Sequence, residues 1–544
     1  MKKMVVAAAI FMLLLLAACK IPILNLEQES DSTVEKGAIE EQEKSETEEA
    51  DSDVLIADES GEYPIPLKIM IGTKGDWDSD FDNEGTYVQY CSTEWEFVSL
   101  CEESAIVYTY LQAALEKQRE EDRAYYEEFM NGMVPEAREH AAQSEYFSSY
   151  SSNLVASVMR ADDRILSVQM NCDEYTGGAH PYYWVKGMNL DPATGEKVAL
   201  TDVLKDTIQL PAILTEKIKE EYEEDIWGEL QTQLERYSLE EYTWTLDYQG
   251  ITFYFAPYEI APYATGLIST TIWFDEMPQI FEEKYMHAPA NGWVKELPFN
   301  RDNEVDLNAA SGEKSSLPLW GVENEYGYRD IYLTWDNEDI FLEKCSGYEV
   351  TPLLVCVGEP ENERYFLYVE SIVENGYSYI NVYDLNGTSP ALVDTYENVR
   401  FNTYWDEKEE EYGQFYKICL LDPSAYQLRS IVHILGTWEA TREFETDSES
   451  GAIKIWADEY ALETRPDPLI SKVDLEVSML PDGITEVLPA GTNFKPVATD
   501  SATYVIMQLD DGRMCRIDVV NEDYCWLIEG MNESDCFDNI FYAG

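Results

Sequence analysis

The chain has 544 residues, of which 107 are Asp or Glu and only 37 are Lys or Arg, a formal charge of −70. So acidic a chain argues against nucleic-acid phosphates and anionic lipid as partners and suits a cationic one, although the same excess also serves plain solubility. Hydrophobic residues make up 45%, enough for a core of ordinary size, and 38 tyrosines favour β-rich structure.

Lys2 and Lys3 precede an almost unbroken apolar run, Val5 to Leu16. It is shorter than the roughly 20 residues that a membrane-spanning helix needs. A basic start, a short apolar core and then small residues form the pattern of a secretory signal. The run ends Leu16-Ala17-Ala18-Cys19, which resembles the lipobox of bacterial lipoproteins. That resemblance implies a signal peptide over 1–18, acylation of Cys19, and a chain exported and anchored through Cys19 in the lipid bilayer, on the outer face of the bacterial cytoplasmic membrane. The alternative is a plain secretory signal with an incidental cysteine. Two or more acyl chains, at roughly 0.8 kcal/mol per buried methylene, make a stable anchor. Residues 19–60 are dominated by Glu, Asp, Ser and Thr from Glu27 on, too poor in apolar side chains to offset their ordering entropy, and are expected to be a disordered acidic tether.

The next region, 61–295, reads as helix, strands, helix, strands. Val107, Leu111, Ala114 and Leu115 share one face of a helix over Val107 to Phe129, with Asn131-Gly132 as its stop. Strand-like runs follow at Phe147 to Met159, Ile165 to Cys172 and Tyr182 to Leu190, with turns at Arg160–Asp163 and Asp191–Gly195. Leu210, Leu214, Ile218, Tyr222, Leu230 and Leu234 mark a second long helix. Trp244 to Tyr248, Ile251 to Phe255 and Leu267 to Phe274 close the region as strands. The fold class expected is α+β, two helices on an antiparallel sheet.

Tyr175-Thr176-Gly177-Gly178-Ala179-His180, the strand ending Asn189-Leu190-Asp191, the segment Leu200-Thr201-Asp202-Val203-Leu204, and Phe253 to Gly266 with its two Pro-Tyr steps resemble the extracellular domain of the RsiV-type anti-sigma factors. This is the domain-of-unknown-function family 3298, with the 4163-type region ahead of it, found also beside the catalytic domain of certain peptidoglycan deacetylases. The resemblance covers roughly two-fifths of the chain. It implies recognition at the cell wall, of lysozyme or of peptidoglycan. The chain departs from the RsiV pattern in lacking a transmembrane helix and a cytoplasmic sigma-binding segment, and from the deacetylases in showing no second domain with His and Asp metal ligands.

The candidate binding residues are therefore Tyr175, Gly177, Gly178, His180, Tyr258 and Tyr263. Gly177 and Gly178 permit a sharp bend. His180 either contacts or titrates with a partner or is a turn histidine bonded to a backbone carbonyl. Tyr258 and Tyr263 either stack on sugar rings or anchor an interface, or they are half-buried packing. No catalytic residue, metal ligand or cofactor is assigned. The four histidines form no HExxH, no GxSxG is present, and acidic residues are too numerous for any pair to single out a glycosidase. Cys172 with His180 is a weak nucleophile pair. The alternating Asp76, Asp78, Asp80 and Asp82 fit either a calcium loop or a half-exposed edge strand. Of ten cysteines, nine remain beside Cys19, so at least one thiol stays unpaired within the chain.

Beyond a linker at 300–318, residues 319–469 alternate aromatic and β-branched runs with turns, and 470–544 has short strands at hairpin spacing that look similar to an SH3-like barrel. The whole predicts a surface lipoprotein that binds a wall component or a wall-targeting protein such as lysozyme. The alternatives are a glycan hydrolase with unrecognised carboxylates or a surface-assembly subunit.

Overall fold

Long strands frame the amino-terminal region of the computed structural model, which describes residues 66–81, 85–144, 146–222, 226–300, 304–307, 315–325, 328–345, 349–358, 362–373, 377–406, 414–522 and 525–543. The expected signal peptide, Cys19 and the tether lie outside these residues. No described helix is long and apolar enough to cross a membrane.

Two strands precede the first helix, β1 (Ile69–Phe81) and β2 (Tyr87–Leu100). Asp76, Asp78 and Asp80 lie within β1, paired antiparallel to β2, so their alternation is that of a strand. Helix α1 (Thr109–Gln143) lies on this sheet, and its Arg138 grips Asp78 through two hydrogen bonds of 2.7 and 2.9 Å. The helix does not stop at Asn131-Gly132. An interior glycine costs only about 1 kcal/mol, and beyond it Ala137 packs with Phe129, Met130, Cys91 and Tyr150 in a small core of their own.

Three strands follow close to their expected places, β3 (Tyr150–Ala161), β4 (Leu166–Tyr175) and β5 (Tyr182–Leu190). Because α1 carries the chain across the sheet, β3 runs parallel to β2, while the other neighbours in this sheet are antiparallel. The sheet is thus mixed rather than purely antiparallel. Leu111, Leu115 and Tyr126 of α1 meet Trp95, Phe97, Leu154, Val168 and Met170 in its core.

The second helix is shorter than its stripe. Helix α2 (Leu210–Tyr222) and a separate turn of helix at Leu230–Leu234 share the stripe between them. They pack on a different sheet from α1, made of β6 (Thr243–Leu246), β7 (Gly250–Phe255) and β8 (Ile268–Trp273), around Leu214, Ile218, Phe253 and Ile272. The region is α+β, but its two long helices serve two sheets and two cores. Gly187 lets β5 cross β6 closely, since a Cβ there would lie 2.0 Å from the carbonyl oxygen of Trp244.

The remainder is mainly β. Strand β9 (Trp293–Glu296) edges a five-stranded sheet with β10 (Glu349–Val357), β11 (Arg364–Ile372), β12 (Ser378–Asp384) and β13 (Ala391–Glu397). Next, β14 (Thr403–Asp406) and β15 (Gln414–Ile418) return to the first sheet and give it the order β14-β15-β1-β2-β3-β4-β5. The hydrogen bonding therefore does not divide at the expected linker, because segments on either side of it share both sheets. Most of the carboxyl-terminal strands belong to a twelve-stranded sheet whose strand path does not close into a barrel among the described residues, while Val520–Glu522, Cys525–Ile528 and Met531–Asn532 form a separate three-stranded sheet.

One buried cation ties β3 to the turn between β6 and β7 and to the 285–287 segment. Arg160, read from sequence as part of a turn, is fully buried at the end of β3. Its guanidinium donates to Asp162 Oδ2 (2.7 Å) and to the carbonyls of Tyr285 (2.6 Å), His287 (2.9 Å) and Asp247 (3.3 Å). Beside it Lys295 of β9 meets the Asp247 carboxylate at 2.5 Å, and Tyr248 stacks on Trp293 at 5.1 Å. The turn between β6 and β7 is thereby fixed to the edge of the five-stranded sheet.

Candidate functional site

The turn after β4 and the loop after β7 come from residues about eighty positions apart, and the fold lays one against the other. Gly177 has a φ of +83°, and a Cβ there would press on the ring of Tyr150 at under 3 Å, so glycine is required at this bend. Gly178 has no positive φ and no close neighbour that a Cβ would meet below 3.7 Å. Its part is to offer its carbonyl to the Tyr175 hydroxyl at 3.1 Å. The loop after β7 is tied by Glu259, whose carboxylate accepts from Ala256 N–H (2.7 Å) and from the Tyr237 hydroxyl (2.9 Å). Tyr258, at the crest, is held at φ +71°, a conformation uncommon for a bulky side chain and sustained by the surrounding bonds.

His180 lies flat on Tyr263, with ring centroids 3.7 Å apart, and Tyr258 stands 5.6 Å from Tyr263. The His180 Nδ1 is 3.0 Å from the carbonyl of Pro181, which also accepts from the Tyr263 hydroxyl at 2.6 Å. With the proton on Nδ1, Nε2 becomes an acceptor facing the Tyr258 hydroxyl at 3.4 Å. All six candidate residues thus belong to one exposed turn and the loop facing it. His180 is a turn histidine bonded to a backbone carbonyl, and it is exposed at the rim. Tyr263 is half-buried, whereas Tyr258 keeps 47% of its surface open.

Below the rim, between β5 and the small sheet, lies a cleft of about 340 Å³ lined by Tyr182, Trp184, Val185, Thr243, Tyr254, Ala256 and Glu259. Tyr182 and Trp184 stack at 5.4 Å along β5. Burial raises the Glu259 carboxyl above its ordinary range, against the lowering by its hydrogen bonds from Ala256 and Tyr237. Sequence reasoning missed Tyr182, Trp184 and Glu259. Glu259 stands between the two Pro-Tyr steps already singled out, and the i, i+2 spacing of Tyr182 and Trp184 puts them on one face of a strand, the face turned to α1 with Cys172, whereas Tyr183 and Gly187 face the small sheet.

Cys172 and His180 do not form a nucleophile pair. The Cys172 thiol is buried on the opposite side of β4 from the exposed rim and pushed up to about 11, first by burial. The eight described cysteines whose side chains are placed are free thiols. Among the described residues no group of three or more His, Cys, Asp or Glu side chains could hold a metal ion.

Comparison with known proteins divides this region at the rim. The family model described as "Protein of unknown function (DUF3298)" matches residues 201–275, and the one described as "Deacetylase PdaC" matches residues 104–183. A DUF3298 domain is present. Its matched stretch carries α2, β6, β7 and β8 with Tyr258, Glu259 and Tyr263. The PdaC-like stretch carries α1, β3, β4 and His180. Two solved DUF3298-family structures are similar to the chain. One is from Bacteroides fragilis, at 18% identity over 40% of this chain and 97% of that one, with a TM-score of 0.30. The other is from Pseudomonas aeruginosa, at 16% identity over 40% of this chain and 98% of that one, with a TM-score of 0.26. The comparison with curated proteins returns no match.

Proposed function

We propose that this chain is a non-catalytic recognition protein of the RsiV type, held at the outer face of a bacterial cytoplasmic membrane by an acylated Cys19. It binds a cell-wall component or a wall-targeting protein such as lysozyme through the rim of its DUF3298 domain. The observation that carries this reading is the convergence of His180, Tyr258 and Tyr263 into one exposed aromatic crest, with Tyr258 held in a costly backbone conformation. Rigid, half-exposed aromatic side chains are the usual anchors of recognition surfaces. The charge of −70 favours encounter with a basic protein. A glycan hydrolase fits the cleft less well. Hydrolysis takes two facing carboxyls, and among the described residues lining the cleft Glu259 is the one carboxylate.

The test is binding of the full chain to lysozyme and to purified peptidoglycan, at low and at moderate salt, with Tyr258→Ala as the variant. Saturable binding to either that survives moderate salt and weakens about tenfold in Tyr258→Ala (about 1.4 kcal/mol) is the expected result. Binding to neither, or binding that vanishes with salt and ignores Tyr258, overturns the proposal, since screening removes attraction due to charge alone.

A further inference from the structure

We infer that the Arg465 guanidinium, resting against the rings of Trp438 and Phe541, is a docking site for the terminal carboxylate of a peptide. It lies far along the chain from the DUF3298 domain and stands independently of the reading above.

Three segments build the site. Trp438, in the strand Thr437–Thr446, is buried, and its indole N–H donates to the Ile434 carbonyl at 2.9 Å, which fixes the ring. Phe541 is placed by its backbone. Its carbonyl accepts from the Thr437 N–H at 2.9 Å, and two residues on the Ala543 N–H donates to Thr437 Oγ1 at 3.1 Å. Gly436 permits this approach, since its φ is +120° and a Cβ there would lie 3.1 Å from the Phe541 carbonyl oxygen. Arg465 follows the strand Tyr460–Leu462 and sets its guanidinium carbon 4.1 Å from the Trp438 ring centroid and 5.7 Å from that of Phe541.

The guanidinium lacks the acid that its kind has elsewhere in the molecule. Arg138, Arg160, Arg364 and Arg516 each lie over a ring and also hold a carboxylate. Arg465 lies over two rings and, among the described residues, makes neither an ion pair nor a hydrogen bond, in a chain of charge −70. Glu463, two residues before it, is taken by Arg429 at 2.9 Å. The side chain is half-buried, yet none of its nitrogens is a sealed donor without a partner, so the donors reach solvent.

The chemistry of the group names the ligand. A planar guanidinium fork bonds a carboxylate through two parallel N–H···O bonds. Contact with two fixed rings already restrains the side chain, so binding costs it less freedom. Burial lowers the Arg465 pKa from its ordinary value, with no acid and no second cation contributing to the shift. The site therefore presents one positive charge, which balances a monoanion. A phosphate dianion would carry uncompensated charge into a strongly acidic chain. Phe541 is 62% exposed beside the guanidinium and offers apolar surface to the residue that bears the carboxylate.

The experiment is saturation-transfer NMR titration of the full chain with N-acetyl-alanylalanine, with its carboxamide and, in competition, with inorganic phosphate. The variants are Arg465→Gln, Arg465→Lys and Phe541→Ala, each checked by circular dichroism and melting temperature. Saturable binding of the free acid supports the inference if it weakens about tenfold or more in the carboxamide and in Arg465→Gln. Arg465→Lys should fall between, because an ammonium keeps the charge without the fork, Phe541→Ala should weaken binding, and phosphate should compete poorly. No saturable binding of the acid, equal binding of the carboxamide, phosphate bound as tightly as the acid, or indifference to Arg465→Gln overturns it. Should Arg465→Gln lose its fold, Arg465→Lys carries the test, and undiminished binding there overturns the inference. A lower melting temperature in Arg465→Gln, with no carboxylate bound by the wild type, would reduce Arg465 to a cover for Trp438 and overturn it as well.

Discussion

Replacing Arg160 with Met tests whether a buried charge holds the Asp247 turn and the 285–287 segment against β3. The guanidinium is fully buried and serves four acceptors, one a carboxylate and three of them backbone carbonyls on segments 87 to 127 residues away. Methionine fills much of the same volume but donates nothing. The Asp162 carboxylate and three carbonyls are then left short of partners in a dry site. Each bond to a charged group contributes about 1.5–3 kcal/mol, and such bonds are not additive. Breaking a buried ion pair by removing one partner costs about 3–5 kcal/mol, and that is the loss expected. Arg160→Lys keeps the charge on a compact ammonium that cannot span the same fork of acceptors, so it should fall between the wild type and Arg160→Met. The assay is urea denaturation of the full chain followed by tryptophan fluorescence, with Trp293 close to the site through its stack on Tyr248. A loss below about 1 kcal/mol in Arg160→Met would refute the view that this network holds the 285–287 segment and the Asp247 turn against β3.

Three further outcomes are expected. Gly187→Ala puts a Cβ 2.0 Å from the Trp244 carbonyl oxygen, a backbone contact that cannot swing away, so it should destabilise by about 3 kcal/mol or more in the same denaturation assay. The Glu343 carboxyl is buried against Ser371 and Asn381 and pushed up from 4.5 to about 7, chiefly by burial. Below pH 4.5 it is protonated folded or unfolded. As pH rises toward 7 the unfolded chain ionises first, so its contribution to stability is lost across that window, by up to about 3 kcal/mol. Glu343→Gln should flatten this part of the stability–pH profile relative to wild type, and parallel profiles would show that the carboxyl does not titrate differently on folding. Tyr258→Gly relieves the positive φ while removing the ring. Its stability should change by less than about 1 kcal/mol, while lysozyme or peptidoglycan binding falls as in Tyr258→Ala.

Local chemistry was legible in the sequence where it concerned periodicity and turns. Strand β5 falls at Tyr182–Leu190 as its alternation requires, the faces of α1 follow its apolar spacing, and the double motif singled out the residues that meet at the rim. Where the sequence misled, a tertiary contact overrode a local signal. Gly132 would end an isolated helix, but Ala137 has a core to join beyond it. Arg160 and Asp162 read as a turn because three charged residues within four usually lie at one, and only the approach of the 285–287 segment turns Arg160 into a buried pin.

What the sequence by itself determined is therefore the order and type of the elements from α1 to β8, the β-rich character of the rest, and the identity of the crest residues, all of which depend on side-chain period and backbone freedom within a few residues. The tertiary structure alone decided that α1 and α2 serve separate sheets, that β14 and β15 return to pair with β1, and that Tyr182, Trp184 and Glu259 enclose a cleft. These are pairings between segments far apart in the chain. They are set by which faces can be buried together, a property of the assembled surfaces that no single stretch carries.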